Sequence, residues 1–411
     1  MKWNGKYSNA FNYISKKYEF RFNIVTNLYE FRKKKKGKKQ LKWIKYDDRH
    51  KNSLLLELLQ EHMDQVPTEK VNIFIESREF SPDYNPFQEY FTNIKKWDGK
   101  TDYIKKLAKT VKTDNKKHFA RILKKFLVGT IDCLLNEKSV NDVCLVFQSP
   151  QGLGKTRWMR SILPKQFRNE YLYEGSIDTR NKDHNIYLSQ YWFIHLDELE
   201  ALKGNAIESI KSYITREMIN ERKAYGRYTT KFIRRSSFLG SVNADKFLSD
   251  TTGNRRWLVF KTTDIDYMHD IDPDKLWAQV WSIYQEGFRH WFDTKEIKEI
   301  NDHNERFRNI SLEEEMILRF FVFKNAEKKG EYLNSTEVIE KVIANVPAFA
   351  SKLNKSTMGK ALSKHCKAKK MKGGIQTYYV DYLGVEKDTQ TPSPKANFKN
   401  NQIKEEDEVP F

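Results

Sequence analysis

An α/β fold organised on a largely parallel sheet is predicted for this chain by three observations. Short apolar runs, VCLVF (143–147), YWFIHL (191–196) and FLGSVN (238–243), recur between about residues 140 and 270. Helical or polar segments separate them, which is the rhythm of parallel strands joined by crossovers. The first run leads straight into FQSPQGLGKTRW (147–158), the order strand, glycine-rich loop, helix that marks a P-loop NTPase core.

The remaining elements are arranged around that core. Residues 1–80 read as a small basic α+β region. Alternation of Phe20, Phe22 and Ile24 predicts a strand, and VTN turns the chain into a second. The phrase RKKKKGKKQLKWIKYDD then places Lys34 and Lys35 in a basic tip interrupted by Leu41, Trp43 and Ile44, a composition suited to a nucleic-acid backbone or to a solvated loop. LLLELLQEHM (54–63) predicts a helix. Residues 81–139 form a helical lead-in: Phe87, Tyr90, Phe91, Ile94 and Trp97 recur at helical spacing as a core stripe, Asp98-Gly99 breaks it, and Thr101 or Asp102 caps the next helix. HFARILKKFLVGTIDCLL follows as an amphipathic helix. Past the core, 271–330 is a helical extension containing WAQVWSIYQEGFRHWF. In 331–384, TEVIEKVIANV and KSTMGKALSKHCKAKKM read as helices and GGIQTYYVDYL as a strand, an order that fits a winged-helix module or a small helical cap. The tail, 385–411, has few large apolar residues and is expected to be disordered.

Composition narrows the function classes. Across 411 residues the chain is 39% hydrophobic and 14% aromatic, enough for real cores, with a net charge of +19 that favours polyanions, nucleic acid first. No apolar run of membrane-spanning length and no signal-peptide pattern is present. Cys133, Cys144 and Cys366 are far apart with no CxxC pair, which argues against a disulfide framework or cysteine zinc site and for a reducing cytoplasm.

The candidate chemistry is phosphate chemistry. Ser149 through Thr156 matches GxxxxGK[ST] except that Ser149 replaces the first glycine. Ser149, Gln151, Gly152, Leu153, Gly154, Lys155 and Thr156 are therefore the candidate ATP cradle. The glycines turn amides inward, Lys155 reaches the outer phosphates, and the Thr156 hydroxyl ligates Mg²⁺. The second apolar run ends in Asp197-Glu198. Asp197 is placed near the metal, and Glu198 is the base that orients the attacking water. His195 reads as structural. Asn243, at the end of the third run, is positioned to sense the γ-phosphate or hold water. Arg255 and Arg256, at the mouth of another strand, would neutralise transition-state charge, in their own subunit or a neighbour's. Between the second and third runs, Arg216, Arg222, Lys223, Arg227, Lys231, Arg234 and Arg235 form a basic stretch with interleaved Tyr225, Tyr228 and Phe232, suited to a nucleic-acid channel or a subunit seam.

The order GLGKT, WFIHLDELE, VNADKFL, DTTGNRRWLVF, preceded by YNPFQEYFTNIKKWDGK with Trp97, Asp98 and Gly99, resembles the virulence-associated protein E family over about residues 80–270. These are P-loop ATPases of phages, plasmids and integrated elements, related to superfamily 3 replicative helicases. The resemblance implies an AAA+-like fold, ATP and Mg²⁺ as cofactors, and a homo-oligomeric, ring-forming motor that acts on DNA in replication. It assigns Lys155 and Thr156 to the Walker A site, Asp197 and Glu198 to Walker B, Asn243 to the sensor, and Arg255 or Arg256 to the arginine finger. About 80 residues before the matching region are too few for a primase, so a separate primase partner is implied. The leading expectation is an ATP-dependent DNA helicase or translocase. The alternatives are a non-motor DNA-binding factor that uses ATP for assembly, and a nucleotide-switched signalling ATPase. Glu198 weighs against the first alternative, because a binding-only site has no need of a water-activating carboxylate.

Overall fold

The computed structural model describes residues 4–35, 41–63, 66–202, 205–222, 229–248, 253–323 and 330–384. The lysines at 36, 38 and 39, the segment with Lys223 and Arg227, the 249–252 phrase and the expected tail at 385–411 lie outside those residues. Two compact units make up the chain, Met1–Asn309 and Ile310–Phe411. The division falls within the segment read as a helical extension.

The first unit starts with helix α1 (Ser8–Lys17), strands β1 (Tyr18–Asn23), β2 (Leu28–Lys33) and β3 (Ile44–Lys45), helices α2 (Asp48–Gln60) and α3 (Thr68–Glu76), and strand β4 (Asp83–Tyr84). The expected hairpin is present: β1 and β2 pair antiparallel, and the turn between them passes through Asn27 at φ 59°. The aromatic face beside the lysine run is already occupied. The Trp43 ring carries Arg21 at 4.2 Å and Arg32 at 4.5 Å, so its stacking surface is taken by this chain's own guanidinium groups.

The lead-in forms α4 (Pro86–Asn93), α5 (Tyr103–Lys109), β5 (Val111–Thr113) and α6 (Lys116–Leu135). The helix predicted to run to Trp97 stops at Asn93. Ile94 is extended, and Asp98 folds the chain into a turn by accepting from the N–H groups of Lys100 and Thr101. Trp97 joins that turn by donating to the Thr101 carbonyl. Asp102, not Thr101, caps α5 through the Lys105 N–H at 2.9 Å. Phe87, Tyr90 and Phe91 are buried in the core as expected.

Next come β6 (Cys144–Gln148), α7 (Lys155–Ser161), β7 (Leu172–Glu174), α8 (Lys182–Gln190), β8 (Phe193–Leu196), α9 (Asn205–Ile214), β9 (Met218–Arg222), β10 (Thr229–Ile233), β11 (Ser237–Val242), β12 (Trp257–Ile265), α10 (Pro273–Gln285) and α11 (Thr294–Asn304). The central sheet has the order β5-β12-β6-β11-β8-β7 and is parallel throughout except at β5. Strands β6, β8 and β11 are buried along their whole length, which explains their unbroken apolar text. Trp192, Phe193 and Trp277 pack with Phe87 and Phe91 on one face. The mixed α/β class and largely parallel sheet read from the sequence are therefore present. Cys133, Cys144 and Cys366 are free and buried. Among the described residues no helix is long and apolar enough to cross a membrane.

The second unit contains α12 (Leu312–Phe320), β13 (Phe321–Val322), β14 (Glu331–Leu333), α13 (Ser335–Asn345), α14 (Lys355–His365), β15 (Lys369–Lys372) and β16 (Ile375–Tyr382). Strand β16 pairs antiparallel with β13, β14 and β15. KAKKM, expected to continue the helix, turns after the buried Cys366 and becomes β15. The hairpin closes through Gly373 and Gly374, both at positive φ, a two-residue turn that glycine admits without strain.

Candidate active site

All the residues of the glycine-rich phrase sit at one edge of the central sheet. Because β6, β8 and β11 are parallel, their carboxyl ends emerge side by side, which is where open α/β sheets gather ligand-binding groups. β6 delivers Ser149, β8 delivers Asp197 and Glu198, and β11 delivers Asn243. Between them lies a cavity of about 360 Å³ lined by Gln151, Gly152, Leu153, Gly154, Lys155, Thr156, Arg157, Asp197, Glu198, Asn243 and Tyr267.

The loop is held in shape by two left-handed glycines, Gly152 at φ 92° and Gly154 at φ 84°. A side chain at either would meet backbone strain. Ser149, standing where the pattern has glycine, is fully buried, and its N–H donates to the Val242 carbonyl at 3.1 Å. The serine thus fits without a left-handed backbone and anchors the loop to the end of β11.

Lys155 opens α7 and turns back into the loop. Its ammonium donates to the Ser149 carbonyl at 2.8 Å, to the Pro150 carbonyl at 3.2 Å and to Asn243 Oδ1 at 2.8 Å. Burial lowers its pKa from the ordinary lysine value, while the negative charges of Glu200 and Asp197 pull the other way.

Asp197 accepts from the Ser241 hydroxyl on the neighbouring strand, which fixes its carboxylate at the sheet edge. Glu198 has φ 51°, a left-handed conformation uncommon for glutamate. That kink follows immediately on β8 and leaves both side chains exposed at the cavity. His195 is buried in the strand, burial lowers its pKa, and its Nε2 has no hydrogen-bond partner among the described residues.

Three groups at the site, Glu200, Tyr267 and Arg157, are not singled out by the sequence. Glu200, two residues beyond the carboxylate pair, accepts the Asn243 N–H at 2.9 Å through Oε1, while its Oε2 is buried without a hydrogen-bond partner. Its place in DELE was the only textual sign of it. Tyr267 follows β12 and lies against the loop, where a Cβ on Gly154 would drive into its ring; Arg157 sits 5.2 Å over the same ring. Nothing local in the sequence marks Tyr267.

Arg255 and Arg256 are not at this cavity. They precede β12, whose Trp257 is level with Cys144 at the start of β6, so the length of β6, about 13 Å of strand, separates them from the loop. Arg255 is exposed, and the Arg256 Nε is buried without a partner. The basic stretch divides as well. Arg234 and Arg235 are 2% and 4% exposed and bind carbonyls: Arg234 those of Ile214, Arg216 and Ser236, and Arg235 that of Leu134. Arg216 donates to Asn185. These three are structural, a correction to the reading of the stretch as one contact surface. Lys231 is exposed on the β9–β10 hairpin, which also carries Arg222 in its backbone pairing. Lys34 and Lys35 are exposed in the first unit, and Lys34 donates to the Ser15 carbonyl.

No curated protein matches this chain. Among solved structures, the apo form of the NrS-1 C-terminal region matches with 13% identity and a TM-score of 0.47, covering 90% of this chain and 98% of that one. An A-form apo structure of the same region matches at 16% identity and a TM-score of 0.40, covering 72% and 67%. Residues 91–309 match the virulence-associated protein E-like domain, from the buried Phe91 through the loop, the carboxylates, Asn243 and the paired arginines, and the chain belongs to that family.

Proposed function

We propose that this protein is a Mg²⁺-dependent ATPase that couples hydrolysis to movement on DNA in the replication of a phage, plasmid or integrated element. The observation that carries the reading is the convergence of Lys155, Asn243, Asp197 and Glu198 on the cavity formed by a loop with two left-handed glycines.

The residues fit the nucleotide and its metal. The Lys155 ammonium is parked on loop carbonyls that it can exchange for phosphate oxygens, and Thr156 and Asp197 line the cavity as hard oxygen ligands. Among the described residues no cluster of three acidic, histidine or cysteine side chains could hold a metal ion. That suits Mg²⁺, which favours few protein ligands plus substrate phosphates and water. When bound, the ion would neutralise phosphate charge. Glu198 would orient and deprotonate water, Asn243 would fix the distance between water and Lys155, and Tyr267 with Arg157 would wall the cavity. Arg255 and Arg256, on the far edge of the sheet, would serve a neighbouring subunit's nucleotide, as in a homo-oligomeric ring. The net charge of +19 and the exposed Lys231, Lys34 and Lys35 support DNA as the track.

The test is steady-state ATP hydrolysis with and without single-stranded DNA, in the parent and in Glu198→Gln. Strong stimulation that the substitution abolishes supports a DNA-coupled motor. Hydrolysis indifferent to DNA removes the motor and leaves a signalling ATPase, while DNA binding without hydrolysis leaves an assembly factor.

A further inference from the structure

The second unit presents one strongly basic face with no obvious use in hydrolysis. From Ser351 to Val380 the chain has eight lysines and no aspartate or glutamate. The acidic residues of the same unit, among those described, lie on α12 and α13, at Glu331 on β14 and at Asp381 near the end of β16, and two of those on α12 hold α14 in place. Buried Glu313 accepts the Asn354 N–H at 2.8 Å at the start of α14, and buried Glu314 pairs with His365 at 2.6 Å at its end. With Met358, Ala361 and Leu362 packed inward, the opposite side of the helix is fixed outward. Ser356 and Lys360 lie on that side and are exposed, at i and i+4 of one helical face, and Lys367 is exposed just past the end of α14.

Directly after α14, β15 and β16 form a hairpin whose first strand is exposed at every residue, including Lys370 and Lys372. The Lys369 ammonium donates to the Ser363 carbonyl at 2.9 Å and ties hairpin to helix. A helix held by its inner face, followed by a lysine-bearing hairpin at its end, is the geometry of a winged helix.

We infer that this face binds double-stranded DNA, with α14 in the major groove and the β15–β16 hairpin against the flanking phosphates. The B-form major groove is about 12 Å wide, matching a helix of 10–12 Å with its side chains. Lys360 and Ser356 would face base edges, while Lys367, Lys370 and Lys372 neutralise the backbone. Lys360, Lys367 and Lys372 make no ion pair with a described residue, so no internal partner must be given up on binding. The A-form RNA major groove is too deep and narrow to admit α14. The assignment is independent of the reading of the nucleotide site.

The test is fluorescence anisotropy on the full chain without nucleotide, using a labelled DNA duplex of about two helical turns. The parent is compared with the triple variant Lys360→Glu/Lys367→Glu/Lys372→Glu and with a charge-matched control, Lys105→Glu/Lys275→Glu/Lys298→Glu, at exposed sites of the first unit. The expected result is a loss of about tenfold or more in duplex affinity for the triple variant, with the log K against log salt slope reduced by about two to three. The control should lose markedly less, and basal ATP hydrolysis of the triple variant should equal the parent's. Equal losses in variant and control would reduce the effect to net charge and overturn the assignment. So would parent-like duplex binding by the triple variant, or equal affinity of the parent for an RNA duplex of the same length.

Discussion

The Asn243 side-chain oxygen lies 2.8 Å from the Lys155 ammonium, and the Asn243 N–H is in turn held 2.9 Å from Glu200 Oε1. The lysine that would meet the outer phosphates is therefore positioned from two other strands, not by its own loop alone. Asn243→Ala is expected to lower kcat of ATP hydrolysis by about 100-fold with a smaller change in KM, as for loss of a group that acts mainly in the transition state. Glu200 acts through Asn243 and is a positioning residue. Glu200→Ala should lower kcat by about tenfold, while Glu200→Gln, which keeps an oxygen acceptor for the Asn243 N–H, should retain most of it. Steady-state kinetics on the three variants separate the two roles.

Gly154 combines two constraints, a φ of 84° and the Tyr267 ring. Gly154→Ala should lower stability by about 2 kcal/mol or more, from left-handed strain and steric clash together. Adding Tyr267→Ala removes the clash and should recover part of that loss, leaving about 1–2 kcal/mol of backbone strain. Denaturant unfolding of the single and double variants gives the partition.

The elements that the text shows clearly are those whose physics is local. The loop from Ser149 to Thr156, the fully buried strands and the Asp102 cap each depend on a few neighbouring residues, so pattern and structure coincide there. Arg234 and Arg235 were misread because a sequence shows a charge but not the carbonyls of Ile214, Arg216, Ser236 and Leu134 that absorb it. KAKKM was misread because lysine tolerates helix and strand alike. The pairing of β15 with β16 beyond Gly373-Gly374 decides the matter. Glu200 and Tyr267 reach the cavity only through sheet order and the path after β12, which no single stretch of text encodes.

Arg255 and Arg256 stand at the opposite edge of the parallel sheet from their own loop. If a neighbour's nucleotide is their target, subunits lacking Arg255 and Arg256 and subunits carrying Lys155→Ala should each be inactive alone. Mixed before assembly, they should recover hydrolysis, since some interfaces would then join an intact loop to intact arginines. Absence of recovery, with mixed oligomers demonstrated by differential tagging, would place the arginines outside catalysis.

Lys155 is lowered in pKa chiefly by burial. For a lysine whose folded pKa lies below its unfolded value, the unfolded chain binds the extra proton between the two, so stability rises with pH across that window, just under 10.5. Lys155→Met should remove this alkaline slope. It should also abolish stabilisation by Mg-ATP, which for the parent would reach about 2.7 kcal/mol at a hundredfold excess of ligand over Kd. Thermal unfolding across pH, with and without nucleotide, reads both effects from one set of samples.

Beside the central sheet, α6 is tied to α11 by Lys125 and Glu296, 2.8 Å apart with side chains 6% and 9% exposed. Burial by itself would raise the Glu296 pKa, but hydrogen bonds from Lys125 and the Asp293 N–H, with the lysine charge, bring it below the ordinary glutamate value. A carboxylate with a depressed folded pKa contributes stability above its unfolded value of 4.5, and that contribution is lost as pH falls through the folded pKa. The parent should therefore lose stability steeply below about pH 4.5, and Glu296→Gln should show a shallower acid limb. At neutral pH the substitution strands a buried ammonium and should cost about 3–5 kcal/mol, whereas Lys125→Met/Glu296→Leu, which removes both charges and retains bulk, should cost much less. A double variant as unstable as Glu296→Gln would show that packing, not the unpaired charge, sets the loss.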